Sequence, residues 1–168
     1  MINIQIINLN WIEYVWNENV YTKFEKDKDR GIYQIYGDHP VYGENTLLYI
    51  GQTKDQVYSQ RLKQHGYFEK SHIHSLRRLH LSYFSKTGDI NQENRLDFID
   101  LTEKLLINAH FPAYNSQEIK DAIDKEYFKN EILIMNWGER GKLLPECSSL
   151  RYSTYFWGDE YTKIFNDV

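Results

Sequence analysis

Residues 31–53 read GIYQIYGDHPVYGENTLLYIGQT. Apolar and aromatic runs at 31–36 and 46–50 flank Gly37, Asp38, Pro40 and Gly43, residue types that supply the φ values and side-chain-to-backbone bonds of tight turns. Two strands joined as a hairpin are expected. Alternate residues of a strand point the same way, which groups Tyr33 with Ile35 and Tyr49 with Leu47. In an antiparallel pair the two tyrosines stand side by side, either as half-buried strand residues or as half of a reactive site.

Downstream, Thr53 and Gln56 have the spacing of a capping box and Gly66 can end a helix, which predicts a helix over 54–65 with Arg61 and His65 on one face. RLHLSYFS at 78–85 alternates like a third strand. In NQENRLDFIDLTEKLLINAH at 91–110, Leu96, Ile99, Leu106, Ile107 and His110 share one helical stripe, and Pro112 stops the helix. Glu103 falls in the middle of that stripe. An acid there costs free energy unless something compensates it, so it is either a snorkelling or salt-bridged glutamate or a cleft acid that binds a cation.

Upstream, INIQII at 2–7 can form a short strand, and Asn10 can cap a helix through Trp11, Tyr14 and Val15. Beyond Asn115, Ile119, Ile123 and Tyr127 recur at helical spacing. The tail 131–168 reads as short strands and turns around Trp137, Gly138, Gly141 and Trp157.

A chain of 168 residues suits one domain with its own core. Hydrophobic residues at 41% and charged residues at 26% are ordinary for a globular protein, whereas aromatics at 15% are abundant enough to serve as core or as stacking surface. No apolar run is long enough to span a bilayer, and MINIQIINLNW lacks the basic start and cleavage site of a signal peptide. A soluble cytoplasmic protein with no membrane partner is expected. The single cysteine, Cys147, excludes an internal disulfide and a cysteine-rich zinc site, and reads as a small packing residue.

The net charge of −4 argues against coating nucleic acid through bulk charge. Charge is uneven, however. RLKQHGYFEKSHIHSLRRLH at 61–80 holds Arg61, Lys63, Lys70, Arg77 and Arg78 with four histidines against one acid, Glu69. A basic surface for nucleic acid is expected from Lys63, Arg77 and Arg78, joined by Arg140 and Lys142 in the aromatic-rich tail. Trp137 in that tail either stacks on substrate or packs on the sheet. His72, His74 and His80 invite a zinc site but lack an obvious fourth ligand, so a substrate-facing surface is the preferred reading.

Taken in order, Gly31-Ile32-Tyr33, Tyr49-Ile50-Gly51, Arg61 with His65, Glu103, and Asn115 after Pro112 resemble the GIY-YIG endonuclease superfamily. The resemblance covers residues 30–116, about half the chain. It implies an α+β fold with a small central antiparallel β-sheet of about three strands flanked by helices. An N-terminal extension, 1–29, and a C-terminal helix plus strand and turn extension, 117–168, would pack on that core within a single domain, 1–168. The segment between the tripeptides is longer than usual for the family, which suggests a protruding hairpin carrying His39 and Tyr42. The acidic net charge also departs from many DNA-cutting members.

The implied activity is a metal-dependent endonuclease that hydrolyses DNA phosphodiester bonds with an activated water, of compact restriction, defence or mobile-element type. Hydrolysis needs a positioned water, a base and positive charge on the phosphate. By resemblance, Glu103 holds one divalent ion, Mg²⁺ or Mn²⁺, and Arg61 clamps two phosphate oxygens. Tyr33 acts as base or water-positioning group with Tyr49 beside it. A phenol with a pKa near 10 needs adjacent positive charge for that role. His65 accepts the proton onward or is itself the base. Asn115 orients either backbone or substrate. Duplex DNA is the favoured partner. A single site cuts one strand at a time, so a double-strand cutter needs a homo-oligomer or sequential nicking. The alternatives are a catalytically silent DNA-binding module of the same fold and a nuclease of RNA or single-stranded DNA.

Overall fold

The structure, a computed structural model, describes residues 4–17, 20, 30–64, 72–80, 84–86, 95–115 and 131–149. Near its start Ile7, Leu9 and Trp11 are buried while Asn8 is half-buried and Asn10 exposed, the period-two pattern of a strand with one face in the core. Residues Ile4–Val15 accordingly form one continuous strand, β1. A strand is present from Ile4, within the stretch expected to form one, but the Asn10-capped helix does not form: Asn10 pairs with Trp137 inside a β-ladder.

The remaining elements are β2 (Gly31–His39), β3 (Gly43–Gln52), α1 (Tyr58–Gln64), β4 (Ile73–His80), β5 (Phe84–Lys86), α2 (Arg95–His110), β6 (Glu131–Gly138) and β7 (Glu146–Ser148). Six strands lie in the order β3-β2-β4-β1-β6-β7, and a seventh, β5, also pairs with β1. β1 and β6 run parallel, and every other pairing is antiparallel. The sheet is mixed and curls into a half-barrel.

The expected fold class is therefore overturned. Three antiparallel strands with helices around them and terminal extensions laid on top would leave β1 and β6 outside the sheet. Instead β1 lies within it: its first half pairs with β6 and its second half with β4. Both β1 and β6 bury alternate residues, Ile7, Leu9 and Trp11 on one and Ile132, Ile134 and Asn136 on the other. Such one-sided strands satisfy their backbone groups and their apolar face together only inside a sheet. Of the strand expected over 78–85, residues up to His80 belong to β4 and those from Phe84 to β5, and 81–83 lie outside the described residues.

Two apolar clusters lie on the sheet. One gathers Trp11, Tyr36, Leu47 and Ile50 with Leu105 and Leu106 of α2. The other gathers Tyr33, Ile35, Leu48 and Tyr49 with Tyr58 and Leu62 of α1. A bulge assigns the β3 residues between them. Ile35 pairs with Tyr49 but Tyr36 pairs with Leu47, so Leu48 is an extra residue and the alternation resets there. Leu47 and Tyr49 therefore do not share a face, contrary to simple alternation.

α1 begins at Tyr58, later than the sequence spacing suggests. The Thr53 hydroxyl accepts from the Gly31 N–H at 2.9 Å and donates to the Gly31 carbonyl at 3.2 Å, fastening the start of β2 instead of capping a helix. Among the described residues no helix is long and apolar enough to cross a membrane. The expected helix over 119–127 and the tail beyond Ser149 lie outside the described residues.

Candidate active site

Tyr33 faces Gly51 across the β2–β3 ladder. With no side chain at Gly51, the Tyr33 ring lies over it: a Cβ there would stand 2.6 Å from Tyr33 Cζ and Oη and from Tyr49 Cε1. The two tyrosines are thus diagonal neighbours, with ring centroids 6.1 Å apart and planes at 35°. Tyr58, at the first position of α1, meets Tyr33 edge-on at 6.2 Å and donates its hydroxyl to the Ile32 carbonyl at 3.2 Å. Tyr33 is fully enclosed and Tyr49 is 7% exposed.

One turn beyond Tyr58, α1 delivers Arg61 to the same place. Burial is the largest influence on Arg61 and by itself lowers its pKa. The Tyr33 and Tyr49 phenols, a hydrogen bond with Tyr33 and the charge of Glu103 outweigh it and hold the guanidinium above its ordinary value. Arg61 stays charged, and β2, β3 and α2 each supply a group within its electrostatic reach. Glu103 is half-buried on α2 rather than sunk in the core.

Asn115 is buried behind this cluster. Its Oδ1 accepts from the Ile50 N–H and its Nδ2 donates to the Ile50 carbonyl, both at 2.9 Å. Of the two roles open to it, the amide orients backbone: it closes the outer edge of β3 at the centre of Tyr49-Ile50-Gly51. The preceding residues continue that edge, with the Ala113 N–H on the Leu47 carbonyl at 3.2 Å and the Tyr114 N–H on the Leu48 carbonyl at 2.8 Å.

Sequence reasoning missed a second carboxylate. Asp100 lies three residues before Glu103 on α2, a spacing that puts both on one face. It accepts from Lys54 Nζ at 2.5 Å and from Gln52 Nε2 at 2.5 Å, linking α2 to the end of β3. The signal was present in the spacing of Asp100 and Glu103 and in the cation two residues past the Gly51-Gln52 pair.

No family model, curated protein or solved structure matches the chain. Any functional reading rests on the residues themselves.

His65 lies outside the described residues. Of the basic residues expected to meet nucleic acid, Lys63 is exposed in the last turn of α1. Arg77 is only 12% exposed at its side chain, donates to Glu13 at 2.9 Å and lies 4.3 Å over the Tyr36 ring. The backbone of Arg78 pairs with Tyr33 and Ile12, and its side chain lies outside the described residues. Arg140 is half-buried and donates to the Leu143 carbonyl. Lys142 is exposed on a turn whose backbone N–H bonds Tyr36 Oη at 3.0 Å.

His74 bonds Asp38 at 3.1 Å and His72 contacts the Tyr114 hydroxyl at 3.3 Å. Among the described residues no three His, Cys, Asp or Glu side chains group to hold a metal. The exposed Trp137 donates its indole N–H to Asn8 at 3.0 Å. Burial pushes the Cys147 thiol up to about 12, the state of an inert packing residue.

Proposed function

We propose that the chain is a metal-dependent endonuclease of GIY-YIG type that hydrolyses DNA phosphodiester bonds. The observation that supports this reading most is the convergence of Tyr33, Tyr49 and Glu103 on Arg61 from four separate elements. A guanidinium kept charged beside an acid and two phenols is a natural receptor for a phosphodiester, because its fork matches two phosphate oxygens at once.

The donor set fits a hard divalent ion. Glu103 offers carboxylate oxygens at a half-buried position, and with no three-ligand group among the described residues the remaining positions would fall to water and phosphate oxygens, the habit of Mg²⁺ or Mn²⁺. Bound there, such an ion supplies positive charge for the phosphate oxygens and the departing alkoxide. Arg61 holds the phosphate, and Tyr33, within its electrostatic reach, is fully enclosed rather than meeting water. Tyr49 or His65 takes the proton from the attacking water. Asp100 keeps Lys54 at the rim, where a second cation faces the incoming anion.

The reading carries a cytoplasmic enzyme of restriction, defence or mobile-element type. A homodimer or two successive nicks would serve for double-strand cutting. The complete enclosure of Tyr33 favours a second reading, a module that binds DNA without cutting it.

The test is incubation of supercoiled plasmid, linear duplex, single-stranded DNA and RNA with Mg²⁺, Mn²⁺ or EDTA. Wild type is expected to cut DNA only with metal, Glu103→Ala to be inactive, and Arg61→Lys to lose about 100-fold or more. Undiminished cutting by Glu103→Ala would sink the proposal. Tight DNA binding by folded protein with no cutting under either metal would establish the silent module.

A further inference from the structure

The tip of the β2–β3 hairpin and the C-terminal end of α2 face each other across an open cleft of about 270 Å³. Tyr42 of the hairpin, Leu47 of β3, His110 and Phe111 at the end of α2, and Lys142 line it. Tyr42 is 66% exposed and Phe111 64% exposed, so two large rings that burial would stabilise stand in solvent beside one cavity.

Both rings are held there by rigid backbone. The turn carrying Tyr42 is organised by His39, whose Nδ1 accepts from the Val41 and Tyr42 N–H groups at 3.1 and 3.2 Å and whose ring stacks on Tyr42 with centroids 4.6 Å apart. Phe111 has a φ of 47°, a left-handed conformation that is strained for a bulky side chain. It is fixed by its N–H to the Ile107 carbonyl at 2.9 Å on one side and by the Ala113 and Tyr114 bonds to β3 on the other.

The imidazole of the cleft is already committed. His110 Nε2 accepts from the Leu144 N–H at 2.8 Å and its Nδ1 bonds the Leu106 carbonyl at 2.8 Å. Lys142 is exposed on a turn anchored to Tyr36. Two exposed π-faces with one ammonium beside them match a flat ring linked to an anion, the chemistry of a nucleotide. The strand and helix that build the cleft also build the Arg61 cluster. Along α2, His110 is seven residues from Glu103, about 10 Å, whereas Leu47 lies on the other face of β3 from Tyr49.

We propose that this cleft takes an unpaired base of the DNA strand, stacked on Tyr42 and Phe111 with an adjoining phosphate at Lys142. The inference rests on the nuclease reading and narrows its substrate to DNA that is single-stranded or carries an extruded base.

The test is fluorescence anisotropy in EDTA, where no strand is cut, with three labelled probes: a single strand, a perfect duplex, and the same duplex with one bulged base. The single strand and the bulged duplex are expected to bind more tightly than the perfect duplex. Tyr42→Ala and Phe111→Ala should each weaken those two probes about tenfold while leaving the perfect duplex unchanged. Tyr42→Phe should retain affinity, and Phe111→Leu separates loss of the aromatic face from loss of bulk. Lys142→Ala should weaken all three probes and flatten their salt dependence.

Equal binding of unpaired probes by wild type and both alanine variants, shown folded by circular dichroism, overturns the inference, as does failure to bind any probe. The two readings fail separately. Base-selective binding without metal-dependent cutting removes the nuclease alone, and Glu103-dependent cutting untouched by the ring substitutions removes the base cleft alone.

Discussion

Gly51 shows how much one residue decides here. The Tyr33 ring occupies the space of its absent side chain, with Cζ and Oη 2.6 Å from where a Cβ would stand, and Tyr49 closes it from the other side. Gly51→Ala is expected to cost about 1–3 kcal/mol, because a packed ladder cannot open for a methyl group. It should also displace Tyr33 from Arg61. A shift of the urea midpoint to lower concentration, together with weaker binding of inorganic phosphate, checks this, and an unchanged midpoint would show the notch to be yielding. The sequence could reveal the tyrosine and glycine pairs but not this contact, since which residue of β2 faces Gly51 depends on register. Asn115 was legible as a candidate for the same reason that its role was not: the residue type announces hydrogen bonding, and only the fold says that the partner is Ile50.

Among the elements, α2 shows what helical periodicity can and cannot say. Its apolar stripe correctly anticipates the burial of Ile99, Leu106 and Ile107. At the centre of that stripe Glu103 was open to two readings, a snorkelling or salt-bridged acid and a cleft acid, and it is half-buried and within electrostatic reach of Arg61 on α1. At the end of the helix His110 is held neutral. Desolvation, the largest cause, lowers its pKa, and the Leu106 carbonyl only partly offsets this. Its stabilising contribution is therefore complete above the unfolded value of about 6.5 and is lost as pH falls below it, since the unfolded chain takes up a proton that the folded chain resists. Denaturant midpoints at pH 7.5 and 5.5 should differ more for wild type than for His110→Gln, and equal differences would contradict this assignment. The bulge at Leu48 and the diverted Thr53 hydroxyl belong to the same scale. Alternation and cap spacing are local rules, and a ladder partner or the start of a strand 22 residues away overrides them.

For the whole molecule, β1 is the element that joins the two halves of the sheet. Its first half pairs with β6, its second half with β4, and through β4 it reaches the strands of the candidate site. Buried hydrogen bonds reinforce the junction. Trp11 Nε1 donates to Asn136 Oδ1 at 2.9 Å, and Asn136 Nδ2 donates to the Leu144 carbonyl at 2.9 Å. Such a sheet should unfold as one unit, with aromatic and backbone signals melting together. Asn136→Ala, which leaves the buried Trp11 donor unsatisfied, should lower both transitions equally by about 1–3 kcal/mol. Separate melting of the two signals would show that β6 and β7 form an independent part.

By itself the sequence determined the hairpin, the helix ending at His110 and the roster of reactive side chains, because turn chemistry, apolar periodicity and residue type are local properties. It also carried the alternation of Ile7, Leu9 and Trp11, but an alternating strand does not name its partner. The tertiary structure alone decided that β1 joins the sheet beside both β4 and β6, that Leu48 is the extra residue, and that Tyr33, Tyr49 and Glu103 come within electrostatic reach of Arg61. Those outcomes depend on pairing backbone groups far apart in the chain while burying both faces of the sheet, a constraint that no single stretch of residues contains.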